Sequence, residues 1–356
     1  MRKFDKILFF SVLAILLIGL AALYSASSKY YSPNIIFRQA FWALAGLMLA
    51  VLVMHIDYQR FISISYVLYA INVLLLIVVL FLGKTRGGSN RWLAFGTFNI
   101  QPSELAKITL ILALSSYISG SANRVKKISF LLGALSLALP VFFLIFIEPD
   151  LGTALLIIPV TFAMLFVAGA NIKHLAGLVF LGIGILPFAW QFLKGYQKQR
   201  LFTFINPSTD PLGLGYTIIQ SKIAVGSGGL TGKGWFGGTQ NQLNFLPERH
   251  TDFIFSVIGE EWGFLGASIL ILLYILVIRR GIKIIETTPD MHGRLLATGF
   301  VTLFSLQVII NIGMTIGFLP VVGLTLPLIS YGGSSLITTL LYIGILLNIG
   351  MRRPLF

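Results

Sequence analysis

The sequence predicts an all-α polytopic membrane protein of about ten transmembrane helices, with a large, partly re-entrant segment between the seventh and the eighth. Three observations carry that prediction. Apolar residues make up 56% of the 356 positions and charged residues only 11%, a balance far from that of a soluble domain. Apolar runs of about 20 residues, the length that crosses a bilayer, recur along the whole chain. Lys and Arg recur between those runs instead of forming one patch. The formal charge of +14 is thus explained by anionic lipid and by topology, not by nucleic acid.

Arg2, Lys3 and Lys6 precede the first run, from about Ile7 to Tyr24. Ser25-Ala-Ser27 after it could pass for a signal-peptidase site, but the run is long for a signal peptide and further spans follow, so it reads as the first span. The others read at about 38–56, 62–82, 105–120, 128–147, 151–170, 175–193, 252–278, 295–318 and 334–350. With the N-terminus in the cytoplasm, the inner segments 1–6, 57–61, 121–127, 171–174, 279–294 and 351–356 hold fourteen Lys and Arg; the short outer loops and span ends hold six. The other six lie in the long 194–251 loop, where the positive-inside rule counts little. Both termini therefore face the cytoplasm, and one integral membrane domain spans 1–356. The 279–294 segment, with Glu286 and Asp290, reads as a solvated connector.

There is no cysteine, hence no disulfide and no thiolate metal site, and His55, His174, His250 and His292 are scattered singly, against a zinc cluster. The chemistry concentrates in the outer segments. In Asn99-Ile-Gln-Pro-Ser-Glu-Leu-Ala-Lys107, Pro102 suits a first helical position and Glu104 falls near the third, where a carboxylate helps satisfy free N–H groups. Lys107 follows on the same face. This is either a capped helix start with a local ion pair or a carboxylate–ammonium pair at the membrane surface. Arg91 and Trp92 lie just upstream, and Trp92 equally suits an interfacial belt. Glu148-Pro-Asp150 makes a tight hairpin between two spans, and both acids are candidates to face a cavity.

The 194–251 loop is long enough to be functional or disordered; its glycines and Tyr216, Trp235, Phe236 and Phe245 favour a folded, partly re-entrant structure. Gly232-Lys-Gly-Trp-Phe-Gly237 formally fits a dinucleotide fingerprint but lacks the strand–turn–helix setting. Lys222, Lys233, Arg249 and Arg91 are candidate phosphate ligands; Gln240 and Gln242 could bind sugar hydroxyls. The loop closes on Phe245-Leu-Pro-Glu-Arg-His-Thr-Asp-Phe-Ile-Phe255, which puts Arg249, His250, Thr251 and Asp252 where polar loop turns into membrane helix. Thr251 is a candidate cap, and Asp252, in the first turn, suits the helix dipole. Glu260 and Glu261 fall about 12 Å deeper. Acids at that depth cost about 2–4 kcal/mol or more and stay where they face a cavity or a partner. Gln307 and Asn311 read as interhelical hydrogen bonds. Pro320, Pro327 and Leu326-Pro-Leu-Ile-Ser-Tyr-Gly-Gly-Ser-Ser335 break the helix where irregular backbone needs burial or a wet cavity.

The Phe245–Phe255 stretch resembles the signature of the shape, elongation, division and sporulation (SEDS) family of bacterial membrane glycosyltransferases, its elongation branch most closely. Arg91-Trp92, Gln101-Pro-Ser-Glu104 with Lys107, Glu148-Pro-Asp-Leu-Gly-Thr153, Pro211-Leu-Gly-Leu-Gly-Tyr216 with Gly226-Ser-Gly-Gly-Leu230, and Leu326–Ser335 resemble further family motifs. The resemblance covers essentially the whole chain. It implies polymerisation of the lipid-linked disaccharide-pentapeptide lipid II into glycan strands outside the cytoplasmic membrane, in cell elongation and shape maintenance. It also implies a class B penicillin-binding protein (a transpeptidase) and other elongation-complex membrane proteins as partners; Gly263, Gly266, Ala267 and Ser268 offer a small-residue face for a helix, in the partner or in the bundle itself.

Such a reaction needs a base for the attacking sugar hydroxyl and positive charge for the departing pyrophosphate. The resemblance makes Asp252 the base, kept ionised by its helix-start position. Glu104 and Lys107 could orient Asp252, hold a divalent cation such as magnesium or touch the pyrophosphate; the three roles stay open, and the cofactor with them. The rival reading is a lipid II flippase, which needs charged residues along a path across the whole bilayer; the acids here gather toward one side. A membrane anchor for other wall enzymes is a third reading, and it leaves the 194–251 loop unexplained.

Overall fold

In a computed structural model, residues 4–27, 34–86, 89–95, 98–120, 124–192, 195–210 and 213–352 are described. Of the stretches singled out above, residues 1–3, 87–88, 96, 121–123, 194, 211–212 and 353–356 lie outside them. Seven described helices are long and apolar enough to cross a membrane: α1 (Lys6–Ser27), α2 (Asn34–His55), α4 (Ser65–Leu82), α6 (Ile128–Ile147), α12 (Ile254–Thr287), α13 (Met291–Thr315) and α14 (Gly333–Arg352). The three remaining expected spans are helices too: α5 (Pro102–Ser119), α7 (Leu151–Val167) and α8 (Ile172–Phe192). Helix α5 carries Glu104 and Lys107 and is buried on nearly every face. It runs among α4, α6, α7, α13 and α14, which makes it the axis of the bundle.

Helix pairs close through small residues, as expected where lipid supplies no hydrophobic drive. A Cβ at Gly344 of α14 would lie 2.7 Å from the Ala50 carbonyl oxygen of α2, so these two backbones touch. Short elements fill in the rest. Helix α3 (Tyr58–Ser63) precedes α4, with a break at Ile64 inside the expected 62–82 span. Strands β1 (Lys84–Arg86), β2 (Ser89–Phe95) and β3 (Phe98–Ile100) form a small antiparallel sheet in that order, which the apolar pattern did not announce. The loop after α8 folds into α9 (Gly195–Ile205), a 3-10 turn (Pro207–Thr209), α10 (Leu214–Ser227) and α11 (Thr239–Gln242).

The re-entrant character of that loop has a backbone cause. Helix α12 breaks at Gly263 (φ 65°, ψ −161°), a conformation that favours glycine. The break frees backbone groups that must find partners at membrane depth. The Gly228–Gly234 segment supplies them: Lys233 and Gly234 N–H donate to the carbonyls of Glu260 and Glu261 (3.0 Å each), while Phe264 and Leu265 N–H donate to Gly229 and Leu230 (2.8 and 3.0 Å). Gly263 is thus occupied by the chain's own loop.

The other end of the bundle differs from expectation. Helix α12 continues to Thr287 and α13 begins at Met291, so the solvated connector of 279–294 is a tight turn between two long helices. Asp290 caps α13 through Gly293 N–H (2.9 Å), and Arg280 grips Asp5 with Nε and a terminal nitrogen (3.0 and 2.7 Å). Ser25, in the segment that resembled a cleavage site, lies inside α1 and donates to Glu261 (2.5 Å).

Candidate functional site

Asp252 sits in the turn just before α12, whose first residue is Ile254. The expected cap does not form: no side chain caps this end, and the Thr251 hydroxyl turns to Glu248 instead (3.0 Å to Oε2). Asp252 is half-buried, and its carboxylate makes no hydrogen bond or ion pair with the described residues. Its pKa is pushed up to about 6, first by burial and then by Glu248, against the pull of Arg200 and Arg91. The helix-start argument predicted the opposite direction. Desolvation outweighs the dipole here because the last turn before the helix packs into protein instead of opening to water. Beside the carboxylate, Gly323 holds a φ of 75°, and a Cβ there would lie 3.6 Å from Oδ2.

A second group faces Asp252 from the sheet and the α6–α7 hairpin. Arg91, on β2, donates from Nε to the Glu148 carbonyl (3.1 Å), donates from a terminal nitrogen to the Pro149 carbonyl, and lies 3.7 Å from Asp150. Asp150 caps α7 through Thr153 N–H (3.2 Å) and also accepts from Gln101 Nε2 (3.1 Å) and Ser103 Oγ (3.4 Å). The Glu148 side chain is 1% exposed, and neither of its oxygens has a partner among the described residues. Burial first, then the charge of Asp150, raises its pKa to about 8 despite Arg91.

Gln101 joins this group to a third: its N–H donates to Ser334 Oγ (3.4 Å), and Ser334 opens the last helix beside Thr338. Glu104 accepts from Lys107 Nζ (2.7 Å) and from Thr338 Oγ1 (3.0 Å). The expected ion pair forms, buried at 6% and 3% exposure. The expected capping role does not, because the carboxylate turns along α5 and away from its free N–H groups. Trp92 is half-buried beside Arg91.

The remaining expected site residues are spread along the loop. Lys233 Nζ donates to Glu260 Oε1 (2.8 Å), which also accepts from Thr239 Oγ1 (3.1 Å) and Gln240 N–H (3.0 Å). The deep acids Glu260 and Glu261 therefore hold the re-entrant loop. Lys222 is exposed with its stem over Gly317. Arg249 donates to the Ala26 carbonyl (2.9 Å) and to Asn244, tying the loop to α1. The His250 ring lies 6.1 Å from that of Tyr331. Sequence reasoning missed Arg200 and Glu248 as the charges that act on Asp252. It placed Asn311 in an interhelical bond, whereas Asn311 reaches backbone carbonyls, and the Gln307 Oε1 finds no partner among the described residues. No three His, Asp or Glu side chains converge as a metal group among the described residues.

Residues 5–354 match the cell cycle protein family of FtsW, RodA and SpoVE. The chain belongs to this family. Similar members include the stage V sporulation protein E of Bacillus subtilis (strain 168), 39% identical over 358 residues and covering 97% of this chain and 96% of the relative. The peptidoglycan glycosyltransferase MrdB of Escherichia coli (strain K12) is 39% identical over 352 residues, covering 99% and 94%. Among solved structures, a chain from a peptidoglycan synthase complex that coordinates polymerization and crosslinking superposes with a TM-score of 0.85 at 37% identity, covering 98% of each chain. The rod shape determining protein RodA of Thermus thermophilus superposes at 0.74 and 34% identity, covering 99% and 98%. The fold as a whole is thus that of a family of polytopic membrane proteins.

Proposed function

We propose that this chain is a peptidoglycan glycosyltransferase that polymerises lipid II at the outer face of the cytoplasmic membrane, as one integral membrane unit with both termini inside. Asp252 carries the reading: a half-buried carboxylate without partners, with a pKa near neutrality, is built to accept a proton. A sugar hydroxyl attacks the anomeric carbon of the lipid-linked strand. The new glycosidic C–O bond forms as the bond to the lipid pyrophosphate breaks, and the hydroxyl proton passes to Asp252. Arg91 and Arg200, the cations acting on Asp252, stabilise the departing pyrophosphate. Both Glu104 oxygens are engaged, which supports an orienting role for the Glu104–Lys107 pair over a metal-holding one. The neighbouring synthase complex supports a crosslinking partner, a class B penicillin-binding protein.

The test is polymerisation of purified lipid II by the purified protein. Asp252→Asn should lower polymer by roughly 10²-fold or more while lipid II binding persists, and Glu104→Gln should impair the same step. Wild-type activity should decline as pH falls through about 6, where Asp252 takes up its proton. A wild type that moves lipid II across vesicles and makes no polymer would establish the flippase reading. A folded Asp252→Asn variant at wild-type rate would remove the base.

A further inference from the structure

The backbone around Asp252 is held more tightly than its side chain. Three consecutive carbonyls each accept a bond from elsewhere in the chain. His250 O accepts from Tyr331 N–H (2.8 Å), Thr251 O from Ser330 Oγ (2.6 Å), and Asp252 O from Asn311 Nδ2 (3.0 Å). None of these bonds touches the carboxylate.

The consequence is geometric. A peptide unit is a rigid plane, and the two planes that meet at a Cα fix the direction of its side chain. The plane before Asp252 carries the Thr251 carbonyl and the plane after it carries the Asp252 carbonyl. Holding both leaves the Asp252 Cα–Cβ bond one direction. We infer that Asn311 and Ser330 are positioning residues that aim the Asp252 carboxylate by clamping the two peptide planes around it. This rests on Asp252 being the base, as proposed above.

The clamp is itself braced. Ser330 Oγ accepts from Leu326 N–H (2.8 Å), and the Ser330 carbonyl accepts from Gln39 of α2 (3.1 Å). Ser330 and Gln39 are both buried. Asn311 is fully buried and gives its amide to two carbonyls at once, the second being Leu324 O (2.6 Å). That second bond sets the wall across from the carboxylate, since Leu324 follows Gly323. The Asn311 Oδ1 is left with no partner among the described residues. The side chain is thus placed for its two N–H groups alone, at the cost of a buried acceptor.

Loosening either plane should let the carboxylate swing, and a displacement of about 1 Å at a reacting group costs roughly 10²-fold in rate. Ser330→Ala and Asn311→Leu remove the donors without adding charge. With purified protein and lipid II as the probe, kcat for polymerisation should fall roughly 10- to 100-fold, with lipid II binding and KM near wild type. Ser330→Thr, which keeps the hydroxyl, should restore most of the rate. Ser330→Ala stands alone should Asn311→Leu not fold. Wild-type kcat in folded Ser330→Ala would overturn the clamp, as would loss of lipid II binding in step with rate, the mark of a merely structural role. Asp252→Asn run alongside keeps the two ideas separate. If it retains activity, the base assignment has failed; if it is dead while Ser330→Ala is unimpaired, only the clamp has.

Discussion

At the end of the bundle that holds Asp5 and Arg352, carboxylates are spent on structure. Asp5 is gripped by Arg280, Asp57 pairs with Arg352 at 2.6 Å, and Asp290 accepts from Tyr58 and Gly293 (3.0 and 2.9 Å). Asn348 ties α14 to the Met54 and Ile56 carbonyls (2.6 and 2.8 Å). At the Asp252 end, Glu148 and Asp252 stand without side-chain partners among the described residues, with pKa values raised to about 8 and 6. One end is stitched closed; the other holds most of its acids in bonds but keeps Glu148 and Asp252 unspent. A transporter needs both ends to open in turn, so this asymmetry fits a one-sided enzyme. It also sets up a contrast among the outer acids: Glu260, held by several donors, is scaffold, and Asp252, held by none, is free for chemistry.

Glu260 puts that contrast to its hardest test, because it lies on the helix that Asp252 precedes by one turn. It is fully buried and accepts from Lys233, Thr239, Gln240 and Asn241. Glu260→Ala should strand those donors and destabilise the protein by about 3 kcal/mol or more, read as a lower Tm and faster proteolysis of the 228–242 loop. Asp252→Asn should not lower Tm at all: because burial raises the Asp252 pKa to about 6, the neutral variant should match wild type near pH 4 and melt higher than it above pH 6. Equal Tm losses in the two variants would break the distinction.

Such a distinction was out of reach of the sequence. The spans were legible because each is a long apolar run, and the Asp252 turn was legible because charged residues crowd against one. What decided the roles was pairing between residues far apart in the chain. Lys233 and Glu260 are 27 residues apart, and Ser25 and Glu261 are 236 apart. Periodicity sees neither pair. The direction of the Asp252 shift was misjudged for the same reason: a helix start is visible in the sequence, but the burial that outweighs it comes from segments far along the chain, the Gly323 loop among them. The β1–β3 sheet hid because its strands are only three to seven residues long.

Glu148 gives an effect that depends on pH. Its carboxyl holds its proton in the folded protein up to about pH 8, whereas the unfolded chain releases it near the ordinary value of 4.5. Between those values the unfolded state loses its proton first, so the wild type loses stability relative to Glu148→Gln as pH rises. The two proteins should melt alike near pH 4, diverge steadily up to about 8 and keep a constant gap above it, with the Gln variant the more stable. Parallel melting curves across that range would mean that Glu148 has a charged partner after all.

The smallest effect belongs to the stitched end. Arg280→Gln removes two of the donors to Asp5, which is 5% exposed and keeps the N–H of Leu8 (3.1 Å). Because Arg280 itself is partly exposed, the loss should be about 1–2 kcal/mol, visible as a modest fall in Tm. Polymerisation per folded molecule should stay at the wild-type rate, since Arg280 and Asp5 make no bond to Asp252 or its clamp, and α12, which carries Arg280, is interrupted at Gly263 on the way there. A flippase would respond differently: loosening the seal at one end would shift the balance between its open states and change transport. Unchanged polymerisation with a lowered Tm would therefore confirm the division of labour between the two ends, and a change in rate without a change in Tm would show that they are coupled.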